Sequence, residues 1–267
     1  MWKGTLDNQG YIGTLMLENT TGVVSNEGTI NKINFNAATV FNNNGTVNDA
    51  AIAQGATVNN LSSGVLSVPE DMWKGTLNNW GEDGTINIAS SAFTFYNAGT
   101  FNGKVKTASA NGGKVINDGV INASGNNTVA MSASGSAKMV NNGVINLGTE
   151  GTSDTGMVAM QLESNAKSDA VIENNGAINI YASNSYAFSQ LGSNGHIVNN
   201  GTVYIDDSVT NSGFIKQQGK TIEGSGENGD GTEVHYVDFT APTEPTVNNG
   251  TTTVTADSTA TSSGTND

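Results

Sequence analysis

The feature that most constrains this chain is a phrase it repeats from end to end: Asn, a polar residue, Gly, a small or β-branched residue, Ile or Val, then usually Asn. Asn141-Asn142-Gly143-Val144-Ile145-Asn146 is one copy. Asn26-Glu27-Gly28-Thr29-Ile30-Asn31, Asn43-Asn44-Gly45-Thr46-Val47-Asn48 and Asn174-Asn175-Gly176-Ala177-Ile178-Asn179 are others, as are the phrases around Gly84, Gly119 and Gly201. A phrase that returns at intervals marks a repeat architecture, in which each unit buries its apolar face against its neighbours. Gly10, Gly28, Gly45 and Gly64 lie 18, 17 and 19 residues apart, whereas Gly119, Gly143, Gly176 and Gly201 lie 24, 33 and 25 apart. The longer intervals fit either one unit with an added loop or nearly two short units.

After each glycine the pattern has period two. In Val144-Ile145-Asn146-Leu147 and Ala177-Ile178-Asn179-Ile180, apolar and polar residues alternate, which marks a half-buried strand. A second short apolar run ends just before each corner, as in Val115-Ile116, Met139-Val140 and Ile197-Val198. The unit is therefore strand, corner, strand and a looser return. Gly28, Gly45, Gly84, Gly119, Gly143, Gly176 and Gly201 are expected at the corners, because Gly adopts positive φ freely and Asn tolerates it. Asn-Gly is also a hairpin signal, so an antiparallel meander is the rival. A meander needs partner strands of matched length on both sides of every corner. A corner that returns about every 18 residues is instead what a parallel β-solenoid requires, with Asn stacked over Asn and the amides bonded along the axis.

Met1-Trp2-Lys3-Gly4-Thr5-Leu6 recurs as Met72-Trp73-Lys74-Gly75-Thr76-Leu77, so a block of several units is duplicated, and the chain reads as a piece of a longer protein. The solenoid is expected over residues 1–239, with longer, loop-bearing units at about 120–204. From 240 to 267 the chain is mostly Thr, Ser, Ala, Gly, Asn and Asp, too poor in apolar residues to offset its ordering entropy, and is expected to be a flexible linker. Asn248-Asn249-Gly250-Thr251 is a possible degenerate last corner.

Charge narrows the partners. Against 24 Asp and Glu stand 10 Lys, for a net charge of −14, which disfavours nucleic acid and anionic membranes. With no cysteine there is no disulfide framework and no thiol chemistry. No apolar stretch reaches the roughly 18 residues of a membrane helix, and the N-terminus does not read as a signal peptide.

The search for chemistry finds little. His196 and His235 are the two histidines, and their neighbours suggest no pairing. Glu70-Asp71, Glu82-Asp83 and Asp206-Asp207 are adjacent carboxylates, but adjacent strand residues point to opposite faces, so solvated charge is the simpler reading. Glu227, Asp230 and Glu233 sit in a glycine-rich run somewhat like a calcium loop, although the full ligand spacing is missing. No metal or cofactor is expected. Of the aromatics, Trp2, Trp73, Trp80 and Tyr96 could pack or dock a partner. Tyr181, Tyr186 and Tyr204 are the candidate ligand-binding residues; Tyr204 is the best of them, because it stands where other units carry an outward Asn.

The Asn-Asn-Gly-Thr-Ile-Asn phrase, with the Ala-Met, Gly-Ser and Val-Asn-Asn-Gly units of residues 128–204, resembles the passenger domains of bacterial type V autotransporters, particularly adhesin-like ones. The resemblance covers nearly all of residues 1–239. It implies a right-handed parallel β-helix on the surface of a Gram-negative cell, anchored by an outer-membrane barrel encoded elsewhere in the protein. It carries no catalytic motif onto any residue here. The expected function is a non-enzymatic adhesin and stalk that binds host-cell proteins or glycans, matrix or other bacteria. A purely structural spacer and a β-helical polysaccharide-cleaving enzyme are the rivals.

Overall fold

The computed structural model describes residues 4–246, apart from 19–21, 37, 53–54, 68–70, 73, 91, 108–112 and 218, together with 258–261. The described residues contain no helix, and their strands pair in parallel across two sheets, neither of which closes on itself. The chain is a parallel β-solenoid and not a meander.

One sheet holds ten strands, from Thr5–Asn8 through Lys114–Asn117 to His196–Asn199, and each strand ends at the Asn of a corner. Nine steps of about 4.8 Å make this stack roughly 43 Å long. Beyond the corner the chain enters a second sheet of seventeen strands. In early coils it crosses as one long strand, as in Thr29–Phe35 and Thr100–Thr107. In later coils that strand is split, for example into Val144–Leu147 and Val158–Leu162. Thr100–Thr107 shows the relation: Phe101 pairs with Ile121, while Val105 pairs with Met131 across the split. The long intervals in the sequence are thus single coils with loops inserted mid-strand, since Asn117, Asn141, Asn174 and Asn199 are successive partners.

Stacking turns the period-two pattern into columns. Leu6, Val24, Phe41, Val58, Leu77 and Phe95 line up inside the first sheet. Ile12, Ile30, Val47 and Leu66 line up inside the second, and Phe101, Ile121, Ile145 and Ile178 extend that column. Edge-on pairs such as Phe35 with Phe41, 5.2 Å between centroids, bridge the two sheets in a geometry aromatic rings favour.

At the corners the ten asparagines from Asn8 to Asn199 form one continuous, fully buried ladder. Asn117 Nδ2 donates to Asn141 Oδ1 at 2.7 Å, and Asn141 Nδ2 to Asn174 Oδ1 at 2.7 Å. Each amide also reaches backbone carbonyls, as Asn117 does at Gly119 and Val144. Buried amides are stable only when both ends are satisfied, and a ladder does this at every rung.

The reason for the corner glycines differs from the one expected. None of Gly28, Gly45, Gly119, Gly143, Gly176 or Gly201 has a left-handed φ. Instead a Cβ on Gly143 would lie 2.1 Å from the carbonyl oxygen of Gly119, with 2.0 to 2.2 Å at the other five. These glycines let successive corners touch. Gly84 does not belong among them: it lies inside the strand Glu82–Ile88, where a Cβ meets nothing closer than 3.9 Å. The corner of that coil is Asn79-Trp80-Gly81, and a Cβ on Gly81 would lie 2.3 Å from the carbonyl of Gly64. The phrase Glu82-Asp83-Gly84 imitates a corner but is offset from it by three residues.

The tail also differs from expectation. Residues 233–246, outside any strand, run back along the outer face of the first sheet. Tyr236 N donates to Glu173 Oε2, Phe239 packs on Tyr96 at 5.5 Å, and Glu244 Oε1 accepts from Ser62 N at 2.7 Å. Under this strap the outward residues Ile116, Val140, Glu173 and Val198 are buried. Much of the linker expected at 240–267, including the corner-like Asn248–Thr251, lies outside the described residues. Within it, Ser258–Thr261 forms a strand parallel to Tyr11–Leu17 at the opposite end of the stack, where an element-free segment had been expected.

Candidate binding surface

The outer face of the second sheet carries a second amide row, this one open to solvent. Asn102, Asn122, Asn146 and Asn179 stack in register, and each donates to the one before it at 2.9 to 3.0 Å. Glu82 Oε1 accepts from Asn102 Nδ2 at one end, and Tyr204 takes the next register position at the other. Each rung uses one donor and one acceptor in the row, which leaves further amide hydrogen-bonding capacity for a ligand.

Beside this row stand the inserted loops, and they too are stacked. Asn127 N donates to Thr155 O, Gly156 N to Ser183 O and Asn184 N to Thr210 O. Asn127, Gly156, Asn184 and Asn211 all have positive φ, between 54° and 74°, so one tight turn recurs at the same place in four coils. A recess of about 260 Å³ lies between the amide row and the loop Gly148–Met157, with Asn102, Asn122, Thr152 and Asp154 on its walls. Asp154 Oδ2 accepts from Gly125 N at 2.8 Å, which fixes one loop to the next.

The expected tyrosines divide. Tyr204 is 50% exposed and its ring lies 6.0 Å from that of Tyr181, so these two form one aromatic cluster at the end of the amide row. Tyr204 OH donates to Asp206 Oδ2, which raises the phenol above its ordinary range. Tyr186 stands apart across the inserted loop, half-buried and paired with Gly213. Trp2 and Trp73 lie outside the described residues, and so does Glu70.

The carboxylates do not assemble a reactive pair. Asp206 is held by Ser208 N and Ser208 Oγ, which lower its pKa. Glu82 faces solvent while its neighbour Asp83 points into the core, as adjacent strand residues must. Asp230 accepts from Gly224 N and Thr232 N, and Glu233 Oε1 pairs with His235. Among the described residues no three His, Cys, Asp or Glu gather as a metal set, so Glu227, Asp230 and Glu233 are not brought together as ligands.

Both histidines are paired, contrary to expectation. His196 Nδ1 meets Glu223 Oε1 at 2.8 Å and its ring stacks on Tyr236 at 4.3 Å. His235 Nδ1 meets Glu173 Oε1 at 2.7 Å, and Tyr236 OH donates to Glu223 Oε2 at 2.6 Å, which helps to raise that phenol to about 12. These contacts pin the strap to the last coils, and no local sequence pattern reports them because Glu173 and His235 are 62 residues apart.

Hydrogen bonds to Glu173 and then Glu233 raise the pKa of His235 above its ordinary 6.5. A raised histidine favours the docked state fully below its undocked pKa, and the benefit is lost as pH rises through the docked value. The amide of Tyr236 should therefore be better protected from hydrogen exchange at pH 6 than at pH 8.5, after correction for intrinsic rates. Equal protection at both pH values would show that His235 does not hold the strap.

These features define a solenoid segment with a loop-bearing polar face and a strapped opposite face. Residues 90–210 match the family model described as the BigA fourth domain, a domain of bacterial surface proteins. The match spans the coils that carry the inserted loops and stops short of the strap. No curated protein and no solved structure matches the chain.

Proposed function

We propose that this chain is the adhesive stalk of an autotransporter-type surface protein, acting without catalysis and displayed from an outer-membrane anchor. The observation that carries the reading is the stacked set of inserted loops beside the open amide row, in the region matched by the surface-protein family. Loops on a rigid scaffold are the usual carriers of recognition. Here the scaffold repeats its donors and acceptors from coil to coil, which suits many weak contacts made together. The partner is a host-cell protein or glycan, or another bacterium, reached by hydrogen bonds and by the Tyr181–Tyr204 cluster. An acidic chain of net charge −14 is poorly suited to polyanionic partners.

The test is binding of the whole chain, displayed on beads, to epithelial cells and to bacteria. Replacing the loop residues 149–155 by a short Gly-Ser turn should lower bead attachment about tenfold, as expected when several weak contacts are lost together, while the chain stays folded. Attachment that survives loop replacement and Tyr204→Ala would assign adhesion elsewhere.

A further inference from the structure

A recess lies along the corners of three consecutive coils, ahead of the coils that carry the inserted loops. It holds about 390 Å³, within the usual range of small-ligand sites. Its origin is a local break in the repeat. Where other corners read Asn-x-Gly, this one reads Asn60-Leu61-Ser62-Ser63-Gly64. Leu61 takes the register position that Asn44 and Trp80 hold in their coils and is buried, while Ser62 and Ser63 are exposed on the rim. On the next coil the corner residue is Trp80, in a row that elsewhere carries Glu27, Asn44, Ala98, Asp118 and Asn142. Tyr96 meets its indole edge-on at 6.0 Å and 66° and fixes it as a half-exposed wall. Gly81 and Gly99 contribute a floor without side chains, and Glu82 stands at the edge with Oε1 held by Asn102.

We infer that this recess binds a neutral pyranose of an oligosaccharide. An indole face packs against the C–H surface of a sugar ring, a fixed carboxylate accepts hydrogen bonds from sugar hydroxyls, and serine hydroxyls and backbone groups complete the set. Glu82, with Glu244 hydrogen-bonded at Ser62 N on the opposite wall, repels sulfated, phosphorylated or uronic sugars. The strap helps to build this site, since Phe239 packs on Tyr96 beneath the tryptophan. The site shares Glu82 with the end of the amide row but none of the inserted loops, so loss of cell attachment on loop replacement leaves it untouched, and loss of sugar binding in Trp80→Ala leaves the loops untouched.

The experiment is titration of the whole chain with cellohexaose, maltohexaose, chitohexaose and lactose, followed by tryptophan fluorescence and by calorimetry. At least one of these should give a saturable response. Trp80→Ala should abolish it, and Glu82→Gln should weaken it about tenfold, the equivalent of losing one charge-assisted hydrogen bond, whereas Leu191→Ala, at an exposed position on a distant coil, should not change it. If Trp80→Ala fails to fold, Glu82→Gln decides, because unchanged affinity in that variant overturns the site. Absence of a saturable response to all four sugars, or a response that persists in folded Trp80→Ala, also overturns it.

Discussion

Asp83→Ile is expected to make the protein more stable at pH 7, in contrast to nearly every other substitution in the solenoid core. Asp83 pairs with Leu66 on one side and Phe101 on the other, inside a column otherwise built from Ile, Val, Leu and Phe. It is 3% exposed; Oδ1 accepts from Gly84 N at 2.7 Å, and Oδ2 has no partner among the described residues. Burial pushes its carboxyl well above the usual value of 3.8. A carboxyl with a raised folded-state pKa is neutral when buried and charged when unfolded, so it opposes folding increasingly as pH rises above 3.8. The duplicated block supplies the replacement, because Ile12 holds the equivalent position there. Replacing a buried, poorly partnered carboxyl by an apolar residue removes an unsatisfied polar group and stabilises by about 1–3 kcal/mol. In a chain of this size that raises the melting temperature by roughly 2–4 °C per kcal/mol. Melts at pH 7 and pH 4 check both parts of the expectation: the advantage of the variant should be large at pH 7 and shrink at pH 4. An advantage that does not change with pH would mean the carboxyl ionises as readily in the folded protein as in the unfolded chain.

Asn141→Leu should produce the largest loss. The substitution keeps the volume but leaves Asn117 Nδ2 without its acceptor and Asn174 Oδ1 without its donor, both in a column that water does not enter. Each orphaned group costs about 1–3 kcal/mol, so the total is roughly 2–6 kcal/mol. Two comparisons separate the ladder from general damage. Asn8, at the end of the ladder, bonds a ladder partner only at Asn26, and Asn8→Leu should cost about half as much. Asn146 makes similar bonds in the outer row, at 2.9 Å to Asn122 and from Asn179, but it is half-exposed and water can replace them. Denaturant midpoints should fall in the order Asn146→Leu, Asn8→Leu, Asn141→Leu, with the interior rung lowest. Equal effects at Asn141 and Asn146 would sink the idea that the buried ladder is special.

The same stacking explains where the sequence could be read and where it misled. Gly143 and Asn141 were legible because every coil must satisfy the same two conditions at its corner, a bonded amide and a corner without Cβ, so selection writes them as a phrase. Gly84 misled because Asp83-Gly84-Thr85-Ile86-Asn87 satisfies the phrase locally, while the ladder admits only Asn79. The duplication held the answer: aligning Met72 on Met1 places Asn79-Trp80-Gly81 on Asn8-Gln9-Gly10, and Asp83 on Ile12. At the candidate surface, Tyr204 was legible as an outward position of period two. Trp80 was noticed without its recess, because the recess comes from an expanded corner one coil earlier, at Leu61–Ser63.

By itself the sequence determined the parallel coil, the alternation of inward and outward residues and the buried amide ladder, because all three follow from short-range periodicity that any two stacked units must share. Only the tertiary structure decided three other things: that each long interval is a single coil with its loop stacked on the next, that residues 233–246 fold back across Glu173 and Tyr96, and that an acid stands in the hydrophobic column at position 83. Each depends on which residues meet across tens of positions in the chain, and the energy that selects those partners arises only once the coils are stacked.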